Sequence, residues 1–102
     1  MAKQFSFTDR FGRENPESYC NIAAFSVDRR EHKARFEFAI YANANCAANP
    51  TYQPIDGRTI ELSGEIFDAA YIAVINGTKT IGQVGYENGE TQGIWPTDTV
   101  NV

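Results

Sequence analysis

Large apolar side chains alternate with polar ones from the start of the chain. Lys3-Gln4-Phe5-Ser6-Phe7-Thr8-Asp9 has the period of two that marks a strand with one buried face, and it predicts Phe5 and Phe7 pointing inward. Asp9-Arg10-Phe11-Gly12, followed by Asn15-Pro16, supplies turn residues and breaks the pattern. Tyr19 to Val27 is apolar and small, and Ala34 to Tyr41 alternates cleanly. Ala34, Phe36, Phe38 and Ile40 fall on one face and Arg35, Glu37, Ala39 and Tyr41 on the other. The polar link Asp28-Arg29-Arg30-Glu31-His32-Lys33 suits an exposed tip, so a long central β-hairpin is expected at about 18–28 and 34–42.

The run from Ala42 to Pro54 lacks a sustained period and reads as a loop with room for one helical turn. Pro54 to Gly57 reads as a tight turn, and Arg58 to Ser63 as a strand with Ile60 and Leu62 inward. Ile66, Phe67, Ala70, Tyr71 and Val74 share one helical stripe, with Glu65 in the first turn, which predicts one short helix at about 64–74. A competing pattern is present in the same stretch. Tyr71–Ile75 and Thr78–Val84 flank Asn76-Gly77, a hairpin signal, so residues 64–84 stay open between helix and hairpin. Beyond Gly82 the chain is dense in Gly, Asn, Thr and Glu, and residues 85–102 are expected as a flexible tail unless Trp95 docks. The fold class that follows is α+β, mainly β, built on an antiparallel sheet.

A chain of 102 residues accommodates one hydrophobic core, so a single domain at 1–102 is expected. Apolar residues at 42% and charged residues at 22% are ordinary globular usage and exclude the signature of disorder. A formal net charge of −4 disfavours nucleic acid as a partner. No apolar run reaches the length of a membrane span, and the start lacks the apolar segment of a secretory signal, so the expected address is the cytoplasm. Cys20 and Cys46 are too few for a disulfide framework and read as free, buried thiols.

Catalytic chemistry finds little support. His32 is the single imidazole, it lies in the charged hairpin tip, and a Ser–His–Asp or Cys–His unit would have to use it. With Cys20 and Cys46 it is too scattered for a zinc site, so neither metal nor cofactor is expected. Asp9, Glu14, Glu17, Glu61, Glu65 and Asp68 are the carboxylates a glycosidase could draw on, but an exposed charged face explains them far better. Gly82, Gly85, Gly89 and Gly93 lack the Gly-Lys-Ser/Thr ending of a phosphate loop and read as flexible turns. The Arg10/Arg13 and Arg29/Arg30/Lys33/Arg35 clusters are interleaved with Asp28, Glu31 and Glu37 and read as solvated faces. Tyr41, Tyr52 and Trp95 remain as a candidate interaction surface, Tyr41 because it lies on the polar side of its strand and the others because their surroundings are loop-like.

The order of features also carries a family resemblance. Phe5-Ser6-Phe7-Thr8-Asp9 with Gly12, then Pro16-Glu17-Ser18-Tyr19, the hairpin, Gln53-Pro54-Ile55-Asp56-Gly57, and Glu61-Leu62-Ser63-Gly64 with Phe67-Asp68 resemble small phage- and prophage-encoded proteins of unassigned role. The likeness covers residues 3 to 72 in outline. It implies a non-enzymatic structural or accessory protein, virion-associated or cytoplasmic, that meets a protein partner or copies of itself. The alternative is a stand-alone carbohydrate- or peptide-binding β-module using Tyr52 and Trp95.

Overall fold

The computed structural model describes residues 2–102. Along the chain run β1 (Lys3–Thr8), β2 (Glu14–Asp28), β3 (Lys33–Tyr41), α1 (Ala44–Ala48), β4 (Asp56–Ser63), α2 (Gly64–Ile75), α3 (Ile81–Thr91) and β5 (Val100–Asn101). The strands form one sheet in the order β4-β3-β2-β1-β5, with antiparallel pairing throughout. This is the expected α+β, mainly β fold around a central hairpin.

The β1–β2 turn is built on Asp9. Its Oδ1 accepts the N–H groups of Phe11 and Arg13, both at 2.9 Å. Its carbonyl accepts the Gly12 N–H at 2.9 Å, and Gly12 sits at φ 81°, a conformation that favours glycine. The Arg13 N–H, with a further contribution from the Arg13 guanidinium, holds the Asp9 carboxyl below the usual carboxylate range. A depressed carboxyl pKa adds stability above the unfolded-state value and loses it as pH falls through the folded-state value. Asp9→Asn is therefore expected to lower the melting temperature at pH 7. The gap to the parent should close as both are acidified below about pH 4, the ordinary Asp value, in a pH series of thermal melts.

The helices cover one face of the sheet. Phe36, Phe38 and Ile40 of β3, Ile60 and Leu62 of β4, and Phe5 of β1 are buried there with Phe67 of α2 and Val84 and Tyr86 of α3. Phe7 is only half-buried: the register shifts between Phe5 and Phe7, and the Phe7 ring packs against the core with the Arg58 guanidinium 5.5 Å away.

Two sequence expectations are corrected, and the open choice between helix and hairpin is resolved. The tight turn expected from Pro54 to Gly57 lies earlier, since Ile55 N–H donates to Ile40 O at 2.7 Å and Asp56 and Gly57 already pair with β3. Gly57 permits that pairing: a Cβ there would stand 3.1 Å from the Phe38 carbonyl. The Asn76-Gly77 pair closes α2 rather than a hairpin, with Asn76 N–H on Ile72 O at 2.9 Å, Thr78 N–H on Ala73 O at 2.9 Å and Gly77 at φ 74°. The helix wins because it lays Phe67, Ala70, Tyr71 and Val74 together on the sheet.

The second correction concerns Gly82, Gly85 and Gly89, which lie in α3 and not in flexible turns. Thr80 and Gln83 start this helix with a reciprocal capping box, at 3.1 Å and 3.0 Å. A Cβ on Gly85 would meet Phe36 Cδ1 at 2.8 Å and Ile22 Cδ1 at 3.0 Å, so the bare backbone is what lets the helix approach the sheet this closely. Residues 85–102 thus supply most of α3 and all of β5. Trp95 does dock, and the last residues are tied to β1: Lys3 Nζ donates to Asn101 Oδ1 at 2.5 Å, Ser6 N–H to Asp98 Oδ2 at 2.9 Å, and Val102 N–H to Ala2 O at 3.0 Å.

Two substitutions separate propensity from packing. Gly85→Ala is expected to destabilise by about 1–3 kcal/mol through overpacking, despite alanine's better helix propensity. Gly82→Ala, whose Cβ would lie 3.8 Å from Thr80 Oγ1, should stabilise by roughly 0.5–1 kcal/mol. Denaturant unfolding of the two variants checks this, and a stabilised Gly85→Ala would contradict the close approach.

Candidate protein-interaction edge

The two ends of β2 have different neighbours. Residues from Glu14 to Cys20 lie between β1 and β3, but Lys3 is the first residue of β1 and pairs with Cys20. From Asn21 to Asp28 the strand has β3 on one side and, among the described residues, no strand on the other. The first position of this overhang is closed by α3, where Tyr86 Oη accepts the Ile22 N–H at 3.2 Å. A bulge follows between Ile22 and Ala24, with Ala23 as the extra residue. Beyond it, Ala24 to Asp28 pair regularly with Glu37 to Lys33.

Ala23, Ala24, Phe25, Ser26 and Val27 are all exposed. Residues directly opposite in a sheet share a face, so Phe25 opposite Phe36 and Val27 opposite Ala34 point toward the helix side. They are nevertheless 51% and 49% exposed, because α2 meets the hairpin at its tip and a cleft separates the helices from this part of β2. The Phe25 ring stacks on Phe36 at 6.1 Å and leaves its outer surface free. Beside it, between the hairpin and the helices, lies a cleft of about 140 Å³ lined by apolar side chains that include Val27, Phe36, Phe67, Tyr71, Val74 and Ile81.

The hairpin tip is fastened to α2. His32 Nδ1 and Asp68 Oδ1 are 2.6 Å apart, the imidazole stands edge-on to Phe67 at 6.0 Å, and the Arg29 guanidinium lies 5.4 Å from the Tyr71 ring. His32 takes φ 54° to make the turn. His32 lies exposed at the hairpin tip, as expected, with Asp68 as its partner. Arg30 lies 3.7 Å from Asp28 and Arg35 lies 3.3 Å from Glu37, which matches the interleaved charges with one another.

The edge strand β4 has a different character. It carries Asp56, Arg58 and Glu61, and its Glu61 carbonyl accepts the Gln92 side chain at 3.0 Å. Charges and covering side chains are how sheets discourage unwanted pairing. Beyond the Tyr86 contact at Ile22, the overhang from Ala23 to Val27 contains no charged residue and no proline.

The aromatic residues expected to form a surface are not brought together. Trp95 packs in the helix-side core, 5.0 Å from Phe38 and 6.2 Å from Tyr86, with its ring against the bare Gly89 backbone. Its Nε1 points to the Tyr86 carbonyl at 3.4 Å. Tyr41 follows the buried Ile40 and so takes the opposite face of the sheet, where it is half-buried across from Tyr19. Tyr52 is 56% exposed, in the connection between α1 and β4.

Among the described residues no group of three or more His, Cys, Asp and Glu side chains could hold a metal ion. Cys20 and Cys46 are free; Cys20 is fully buried and its thiol is pushed up to about 12 by burial, whereas Cys46 in α1 is half-buried. At the far end of β2, Phe11 is 69% exposed between Arg10 and Arg13, whose guanidinium carbons stand 5.0 Å and 5.6 Å from its ring. No described helix is long and apolar enough to cross a membrane. No family model, curated protein or solved structure matches the chain.

Proposed function

We propose that this protein is a non-enzymatic structural or accessory protein that works through protein–protein contacts, with the overhang of β2 as its contact strand. The carrying observation is the uncharged, exposed stretch from Ala23 to Val27, paired on one side only and bordered by an apolar cleft. Unpaired strand N–H and C=O groups are satisfied by another extended backbone, and alternate side chains of such an edge give the contact its specificity. Phe25 and Val27 are those side chains. The resemblance of residues 3 to 72 to phage and prophage proteins points the same way, toward a role in assembly. A carbohydrate-binding module has less support, because Trp95, the ring it would present to a sugar, is packed against Gly89 and Phe38.

Native mass across a concentration series, measured by light scattering in reducing buffer, tests the proposal. The parent protein should grow from monomer to a defined oligomer as concentration rises. Phe25→Lys, which puts a guarding charge on the edge, should remain monomeric throughout. A parent that stays monomeric at every concentration and behaves like Phe25→Lys would overturn the contact-strand reading.

A further inference from the structure

The regular part of the overhang has a symmetry that bears on what covers it. Between the bulge and the tip lie five residues, Ala24, Phe25, Ser26, Val27 and Asp28, in unbroken register with β3. We infer that the strand which covers this edge is the same segment of a second copy, antiparallel to it, with the two-fold axis passing beside Ser26. This rests on the contact-strand reading above and names the partner.

The argument begins with the geometry of antiparallel pairing. A two-fold axis perpendicular to the sheet relates two antiparallel strands and leaves their helix-covered faces on the same side, so residues directly opposite must share a face. Centred on Ser26, the register sets Ser26 opposite Ser26, Phe25 opposite Val27, and Ala24 opposite Asp28, using all five regular residues and none of the bulge. A register centred one residue earlier would draw bulged Ala23 into the ladder and leave Asp28 beyond it.

Side-chain chemistry favours the same register. Each Phe25 meets the partner's Val27 on the helix side, an aromatic–β-branched cross-strand pair that occurs twice by symmetry. That Val27 lines the apolar cleft of about 140 Å³. Cavities of roughly 150 Å³ take up a benzene ring, so the incoming phenyl group is of a size to fill it. Charge also agrees. Each copy carries a net charge of −4, and contact between copies is least opposed along a neutral segment. In this register Asp28 faces an alanine, and no two like charges stand directly opposite.

Cysteine cross-linking reads the register. In a Cys46→Ser background, Ser26→Cys places two thiols on directly opposed residues, whose Cα atoms are about 4.5–5.5 Å apart and within disulfide reach. Ala24→Cys opposes Asp28 instead, leaving its own counterpart roughly 13 Å away along the strand at about 3.3 Å per residue. After mild oxidation at a concentration where the mass series shows the oligomer, most Ser26→Cys protein should run as a covalent dimer and Ala24→Cys as monomer. Both positions are exposed, and Cys20 is buried, so neither misfolding nor background thiols should produce that contrast. An oligomer that forms without a Ser26 link, or with an equal link through Ala24→Cys, overturns the two-fold at Ser26 while leaving the contact-strand reading in place. Absence of any oligomer removes both.

Discussion

An antiparallel strand can be covered only as far as its neighbour runs, and in this protein the neighbours are unequal. β2 extends over fifteen residues, β1 over six, and β1 meets β2 only up to Cys20. The rest of β2 depends on β3 for its backbone pairing. The tip contact between His32 and Asp68 and the stacking of Arg29 on Tyr71 hold the hairpin against α2 at its far end. From Ala23 to Asp28 the strand thereby has, among the described residues, no strand on its outer side, and an open edge of that kind is a site for another strand.

The helix layer follows from a second constraint. Gly85 brings α3 onto Phe36 and Ile22 at a distance no side chain would allow, and Tyr86 uses its hydroxyl to close the strand at the bulge. This contact fixes where helical cover ends. Ile22 lies beneath α3, whereas Phe25 and Val27, on the same face a few residues later, lie beyond it and stay half-exposed. The apolar cleft beside Val27 lies between β2 and the helices, which meet the hairpin again at its tip.

Much of this architecture is legible in the sequence. Ala34 to Tyr41 alternates so cleanly that the buried and exposed faces of β3 can be read directly, and the stripe through Phe67, Ala70, Tyr71 and Val74 marks α2. The parts that are not legible depend on distant residues. Three glycines in eleven residues look like broken chain, because intrinsic propensity penalises each of them. Only the sheet beneath shows that Gly85 is required for packing, although the three-and-four spacing of Gly82, Gly85 and Gly89 on one helical face was an available sign. Trp95 looks exposed among polar neighbours, yet Gly89 opens the slot that receives it. β5 pairs residues nearly a chain length apart, and the open edge becomes visible only once β1 is known to stop at Lys3.

The central claim is that residues 24–28 of β2 are open on one side in the isolated chain and become covered by association. Hydrogen–deuterium exchange at low and high protein concentration tests it most directly. The account predicts that the amides in this segment directed away from β3 exchange quickly when dilute and become protected when concentrated, while the amides of β3 stay protected in both. Protection of the whole segment at high dilution, where no second strand is present, would contradict it.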